Sequence, residues 1–248
     1  MKRFLKPGIL PWFTLGCGGL GLVLRIWLYS GVDHKGLLPV GHLGSALAYI
    51  LTALVFGVLF LCVRQLNPEG EYTRLFPAGF MGAMGCVAGA SGILAAAVCQ
   101  YVSGDVLSLL SVILGFAAFG CLGKIGLHRL QGSRPSVYAH MLVTVFLLFY
   151  TVGRCRGWGS EPQVQIYIFP LLACIFLMLT GYYQSALGAC KNCIRQLVFC
   201  SQAAVFCCCL SLNGEHPLFY IGMILYLTLD LCGAQKEQTP ETPAAEEE

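Results

Sequence analysis

Eight stretches of the chain are apolar almost throughout: 8–29, 42–62, 77–101, 106–127, 136–153, 164–184, 193–212 and 217–233. A helix of about 20 residues, rising about 1.5 Å per residue, crosses a hydrocarbon layer about 30 Å thick. The runs have that length, and turn formers separate them. Asn67-Pro68, Ser103-Gly104-Asp105, Gly132 to Pro135, Gly157 with Gly159, and Asn213-Gly214 all fall between runs. The last run is short and is interrupted by Asp230. The pattern predicts an all-α, polytopic integral membrane helix bundle of about eight transmembrane helices.

Lysine and arginine in short connections orient such a bundle, because they are retained on the cytoplasmic side. With the N-terminus inside, Lys35, Arg154 and Arg156 fall outside and Arg25 lies within a run. The other 11 of the 15 basic residues fall inside. An even number of spans places both termini in the cytoplasm. The basic start, MKRFLK, followed by an apolar run that continues past Cys17 to Tyr29, reads as a retained anchor in the plasma membrane. Residues 1–235 are expected to form one transmembrane bundle. The tail 236–248, acidic and with Pro240 and Pro243, is expected to be a disordered cytoplasmic extension.

Composition sharpens this picture. Hydrophobic residues make up 57% of the 248 and charged residues only 11%, against about 25% charged in a soluble domain. The net charge of +3 is scattered over the connections and gives no basic stripe for nucleic acid. Most of the 14 cysteines lie inside apolar runs, where they are small, helix-compatible side chains. Cys207, Cys208 and Cys209 in a row point about 100° apart on a helix and cannot face one metal ion together. Cys190-Lys191-Asn192-Cys193 has the spacing of half a zinc site or a redox pair. No second pair accompanies it on the same side, so Cys190 and Cys193 are weak metal candidates and no cofactor is expected.

Gly16, Gly18 and Gly21 match the letters of a dinucleotide fingerprint. They lack the strand and soluble βαβ unit which that fingerprint needs, and read better as a close-packing face. Gly82, Gly85, Gly89 and Gly92, with Ala78, Ala88 and Ala96, extend the same theme at three- and four-residue spacing. Small faces let helix backbones approach closely in lipid, so the third run is expected to be the best-packed centre. Tyr101, Tyr150, Trp158, Tyr182, Tyr183 and Tyr220 lie near span ends, as interfacial anchors do.

Ionisable side chains inside the runs are few, and intramembrane charges mark functional sites. Asp230 and His140 sit near inner ends and are expected to reach an interface. The densest polar stretch is Arg25 to His42, the first outer turn. Arg25 lies about one turn below the outer end of the first run. It is expected either to snorkel outward beside Trp27 and Tyr29 or to build a small site with Asp33, His34, Lys35 and His42. Such a site would suit a phosphate, a carboxylate or a lipid head group. Asp105, Glu161 and Glu215 compete as partners for Arg25.

The sequence carries no HExxH, no GxSxG and no spaced carboxylate pair. Three functional readings follow. The foremost is a transporter or permease-like component for a small molecule. The second is a non-enzymatic membrane scaffold or subunit binding lipid or a protein partner in the membrane. The third is a membrane-embedded enzyme acting on a lipid-linked substrate.

Overall fold

The computed structural model describes residues 9–31, 42–66, 76, 78–101, 106–158, 163–189 and 191–233. Among them the chain forms eight α-helices and no strand. They are α1 (Ile9–Ser30), α2 (Leu43–Arg64), α3 (Phe80–Tyr101), α4 (Val106–Gln131), α5 (Val137–Trp158), α6 (Val164–Gly188), α7 (Ile194–Ser211) and α8 (Pro217–Gly233). Seven of these are long and apolar enough to cross a membrane. The eighth, α8, has 17 residues and is shorter. Its rise of about 25 Å falls just short of a typical hydrocarbon core. The chain is a multi-span helical membrane bundle. The expected acidic tail, 236–248, lies outside the described residues.

Each expected apolar run is a helix, but α4, α5 and α6 continue several residues past the runs that predict them. Hydropathy marks where lipid ends, whereas a helix ends where its last carbonyls find other donors. The end of α4 shows such a cap. Gly132 follows it at φ 66°, and the Ser133 amide donates to the His128 carbonyl at 3.0 Å. Left-handed backbone of this kind favours glycine.

The helices α3, α4, α5, α6, α7 and α8 form a closed circuit, each packed on the next and α8 returning to α3. α1 and α2 cover the outside of α7. Directions follow from which residues meet. Along α3, Gly92, Gly89 and Gly85 meet Gly222, Tyr226 and Leu229 in turn, so α8 runs antiparallel to α3. Thr14 meets Gln202 and Gly21 meets Leu210, so α1 and α7 run parallel. Arg195 bonds the Leu66 carbonyl, which sets α2 antiparallel to α7. One end of the bundle therefore holds the ends of α2, α4, α6 and α8 and is here called the basic end. The opposite end holds Arg25, His42, Gln100, Arg154 and His216.

The centre differs from expectation. Fifteen of the 18 residues of α7 are buried, including Cys207, Cys208 and Cys209. Cys209 packs on Gly18 of α1, and small side chains there let neighbouring helices close around α7. α3 instead makes the closest backbone approach. A Cβ on Gly222 would stand 2.7 Å from the Ala88 carbonyl oxygen and 2.8 Å from the Gly92 Cα. In α1, Gly18 and Gly21 pack against Cys209 and Leu210, while Gly16 has nothing within 4 Å.

Aromatic and aliphatic side chains fill the circuit. Phe146, Phe219, Met223, Leu122 and Leu177 are buried together. Tyr150 and Tyr220, expected at an interface, belong to this interior instead, with Tyr150 4.8 Å from the Phe219 ring. Their positions near span ends were legible in the sequence. Which helix face turned inward was decided by packing. Tyr101 and Tyr182 do remain exposed.

Candidate functional site

The circuit carries a charged pair toward each end, one buried in its interior and one at its rim. At the basic end, Arg129 of α4 and Asp230 of α8 form an ion pair of 2.9 Å, each only 3% exposed. Asp230 also accepts from Gln184 Nε2 of α6 at 3.3 Å. The Tyr226 hydroxyl, one turn earlier on α8, donates to Gln184 Oε1 at 3.0 Å. His140 of α5 is buried and hydrogen-bonds Gln184. Arg129 further donates to the Phe76 carbonyl at 3.2 Å and lies 4.0 Å from the Phe76 ring centroid.

Asp230 and His140 therefore do not reach an interface, as the sequence led us to expect. They are enclosed by protein. Two charges removed from both lipid and water need each other and a full set of hydrogen bonds to persist. Four helices contribute to this network, and no single segment reveals it. The signal available in the sequence was that Asp230, Arg129, His140 and Gln184 all lie near the same end of their spans.

Arg25 is also enclosed, at 2% exposure. It does not snorkel. It donates to the Leu210 carbonyl at 2.8 Å, the Ile166 carbonyl at 2.9 Å and the Tyr29 hydroxyl at 3.0 Å. The rings of Tyr29 and Phe169 lie 5.4 and 5.2 Å away. Both carbonyls lack a helical partner. Leu210 lies in the last turn of α7, where carbonyls have no donor within the helix. Ile166 precedes Pro170 by four residues, and proline has no N–H to return. A cation at the α7 C-terminus also meets the negative end of the helix dipole.

His42 sits apart from Arg25 in its bonding. It caps α2, with Nδ1 accepting from the Gly44 amide at 3.1 Å, and its ring stands edge-on to Trp27 at 5.1 Å. Asp33, His34 and Lys35, the remaining members of the expected outer site, lie outside the described residues, as do Asp105 and Glu161. Glu215, named as a partner for Arg25, pairs with Arg154 instead.

That pair is the charged group of the opposite end. Arg154 of α5 forms a salt bridge with Glu215 and bonds His216 Nε2 at 3.0 Å. It thus ties the end of α5 to the start of α8 across the circuit. Arg154 and Arg156 are two basic residues that run against the charge bias read from the sequence. Arg154 is paired there with a carboxylate. Burial and the Arg154 charge hold the His216 imidazole below its ordinary value, partly offset by Glu215.

Cys190 lies outside the described residues. Cys193 precedes α7 and is buried, its thiol directed to the Tyr183 carbonyl at 3.4 Å. Burial pushes the Cys193 thiol up, only partly offset by the Lys191 charge, and so disfavours the thiolate that metal binding needs. Among the described residues no group of three or more His, Cys, Asp and Glu side chains stands close enough to hold a metal ion.

No family model matches the chain, and neither a curated protein nor a solved structure resembles it.

Proposed function

We propose that the protein is a transporter, a permease-like component that moves a small polar solute across the plasma membrane, with both termini in the cytoplasm and lipid around its outer helices. One observation carries the reading. The six-helix circuit has a charged pair linking its helices toward each end, Arg129–Asp230 buried within it and Arg154–Glu215 at the opposite rim. Packed side chains such as Phe146 and Phe219 lie between the two. Charges inside a membrane bundle are costly and mark solute paths. A pair that closes the path in one state becomes available to solute when it parts. On this reading the conformation described is the closed one.

The test is flux in proteoliposomes of the purified protein, using small carboxylates, polyols and amino acids as probes. Uptake of one class above protein-free vesicles, altered by Asp230→Asn, is the expected result. Absence of flux for all three classes overturns the reading.

A second reading, a membrane scaffold or subunit, is favoured by the filled interior and the enclosure of α7. It predicts a lipid or protein that copurifies at fixed stoichiometry without flux. Orientation is tested at Cys155, which is exposed at the opposite end. In a Cys99→Ser background, an impermeant maleimide should label it from outside intact cells, and Cys155→Ser should remove that label.

A further inference from the structure

Near the opposite end of the circuit, four buried polar atoms have no hydrogen-bond partner among the described residues: Gln100 Oε1, Ser111 Oγ, Tyr150 OH and His216 Nδ1. They come from α3, α4, α5 and the residue just before α8, and register places the first three at one level. Gly115 of α4 lies against Ala97 of α3 and Phe146 of α5. Ser111 is one turn outward of Gly115, Gln100 one turn outward of Ala97, and Tyr150 one turn outward of Phe146, against which it stacks at 6.0 Å. The missing side chain of Gly153 makes room for the Gln100 amide, which occupies the space a Cβ would need. The Tyr150 and His216 rings are 6.2 Å apart.

The chemistry of the set is defined. Arginine can only donate, so the bond from Arg154 makes His216 Nε2 an acceptor. The proton of the neutral imidazole then lies on Nδ1, which becomes a buried donor. Ser111 and Tyr150 offer hydroxyls, and Gln100 offers a carbonyl. Arg154 supplies a positive charge beside them. Its carboxylate partner, Glu215, has a side chain 68% exposed and sits on the rim. Buried polar groups in native proteins are nearly always satisfied. Four unpartnered ones beside an arginine whose carboxylate partner stands on the rim suit a polar guest.

We propose that Gln100, Ser111, Tyr150 and His216, with Arg154 at the mouth, bind a small hydroxycarboxylate. Its carboxylate takes the place of Glu215 on Arg154, and its hydroxyl meets the neutral groups inside. The solute class deepens the transport reading and rests on it, but the site is tested by binding alone.

The experiment is titration of the full-length protein in nanodiscs with lactate, acetate and glycerol, followed by calorimetry. Lactate should bind more tightly than acetate, which lacks the hydroxyl, and than glycerol, which lacks the charge. Tyr150→Phe and Ser111→Ala, which remove one hydroxyl each, should weaken lactate about five- to tenfold, the effect of one hydrogen bond. Glu215→Gln, which keeps the size of the side chain and removes its charge, should tighten lactate by weakening the competing hold on Arg154. Binding of none of the three probes overturns the site, as does lactate binding indifferent to Tyr150→Phe and Glu215→Gln. Lactate binding without flux leaves the site standing and overturns transport. Flux of a solute with no response to these variants does the reverse.

Discussion

Arg25 and Pro170 meet at one atom, the carbonyl oxygen of Ile166. Pro170 lies within α6 and has no N–H for that carbonyl, and Arg25 Nη2 donates to it at 2.9 Å. The arginine of α1 thus repairs a defect that the proline of α6 creates. Its other nitrogen does the same for Leu210 at the end of α7. Arg25→Ala should lower stability by about 2–5 kcal/mol, since it leaves one buried and one partly buried carbonyl unsatisfied at about 1–3 kcal/mol each. In a Pro170→Ala background the alanine N–H supplies Ile166, and the cost of Arg25→Ala should fall by about 1–2 kcal/mol. Unfolding in mixed micelles measures the cycle, and strict additivity would contradict the shared carbonyl.

The Arg129–Asp230 pair should behave asymmetrically. Asp230→Ala alone strands a buried guanidinium and should destabilise by about 3–5 kcal/mol. The double change Arg129→Leu with Asp230→Leu removes both charges and should be much milder than either single change. Equal or larger loss in the double variant, read from the same unfolding assay, would show that the pair is not the cause.

Gly222→Ala should destabilise the α3–α8 crossing by about 1–3 kcal/mol, because the new methyl meets backbone atoms that cannot yield. Gly57→Ala, in α2 with nothing within 4 Å, should be neutral or slightly stabilising. Thermal unfolding of the two variants side by side tests the contrast.

His216 predicts a pH dependence. Its native pKa is lowered from 6.5 by burial and by Arg154, so the unfolded chain binds a proton more readily. The stability it contributes is complete above 6.5 and is lost as pH falls through that value toward the lowered one. Melting temperature should therefore drop below about pH 6.5, and His216→Gln should remove that part of the drop.

The glycine face of α3 shows how sequence and structure divide the information. Its small residues at three- and four-residue spacing announced close packing, and the helix pairs through them with α8. The spacing did not name the partner, and it pointed to α3 as the centre when α7 holds that place. Arg25 divides the same way. An arginine in an apolar run announced an unusual group, but its partners are carbonyls 141 and 185 residues away.

By itself, the sequence determined the class of object. Eight apolar runs set the helices, and a composition with 11% charged residues set the solvent. Both follow from local chemistry, since each helix satisfies its own backbone and each apolar face needs lipid or protein around it. Only the tertiary structure decided where the polar minority went. Arg129, Asp230, His140, Tyr150 and Gln100 all lie near span ends, where a side chain can turn to the interface or into the bundle. The choice depends on whether neighbouring helices offer charges, hydrogen bonds or a missing Cβ at that level. Those partners are distant in sequence, so periodicity and hydropathy carry no trace of them.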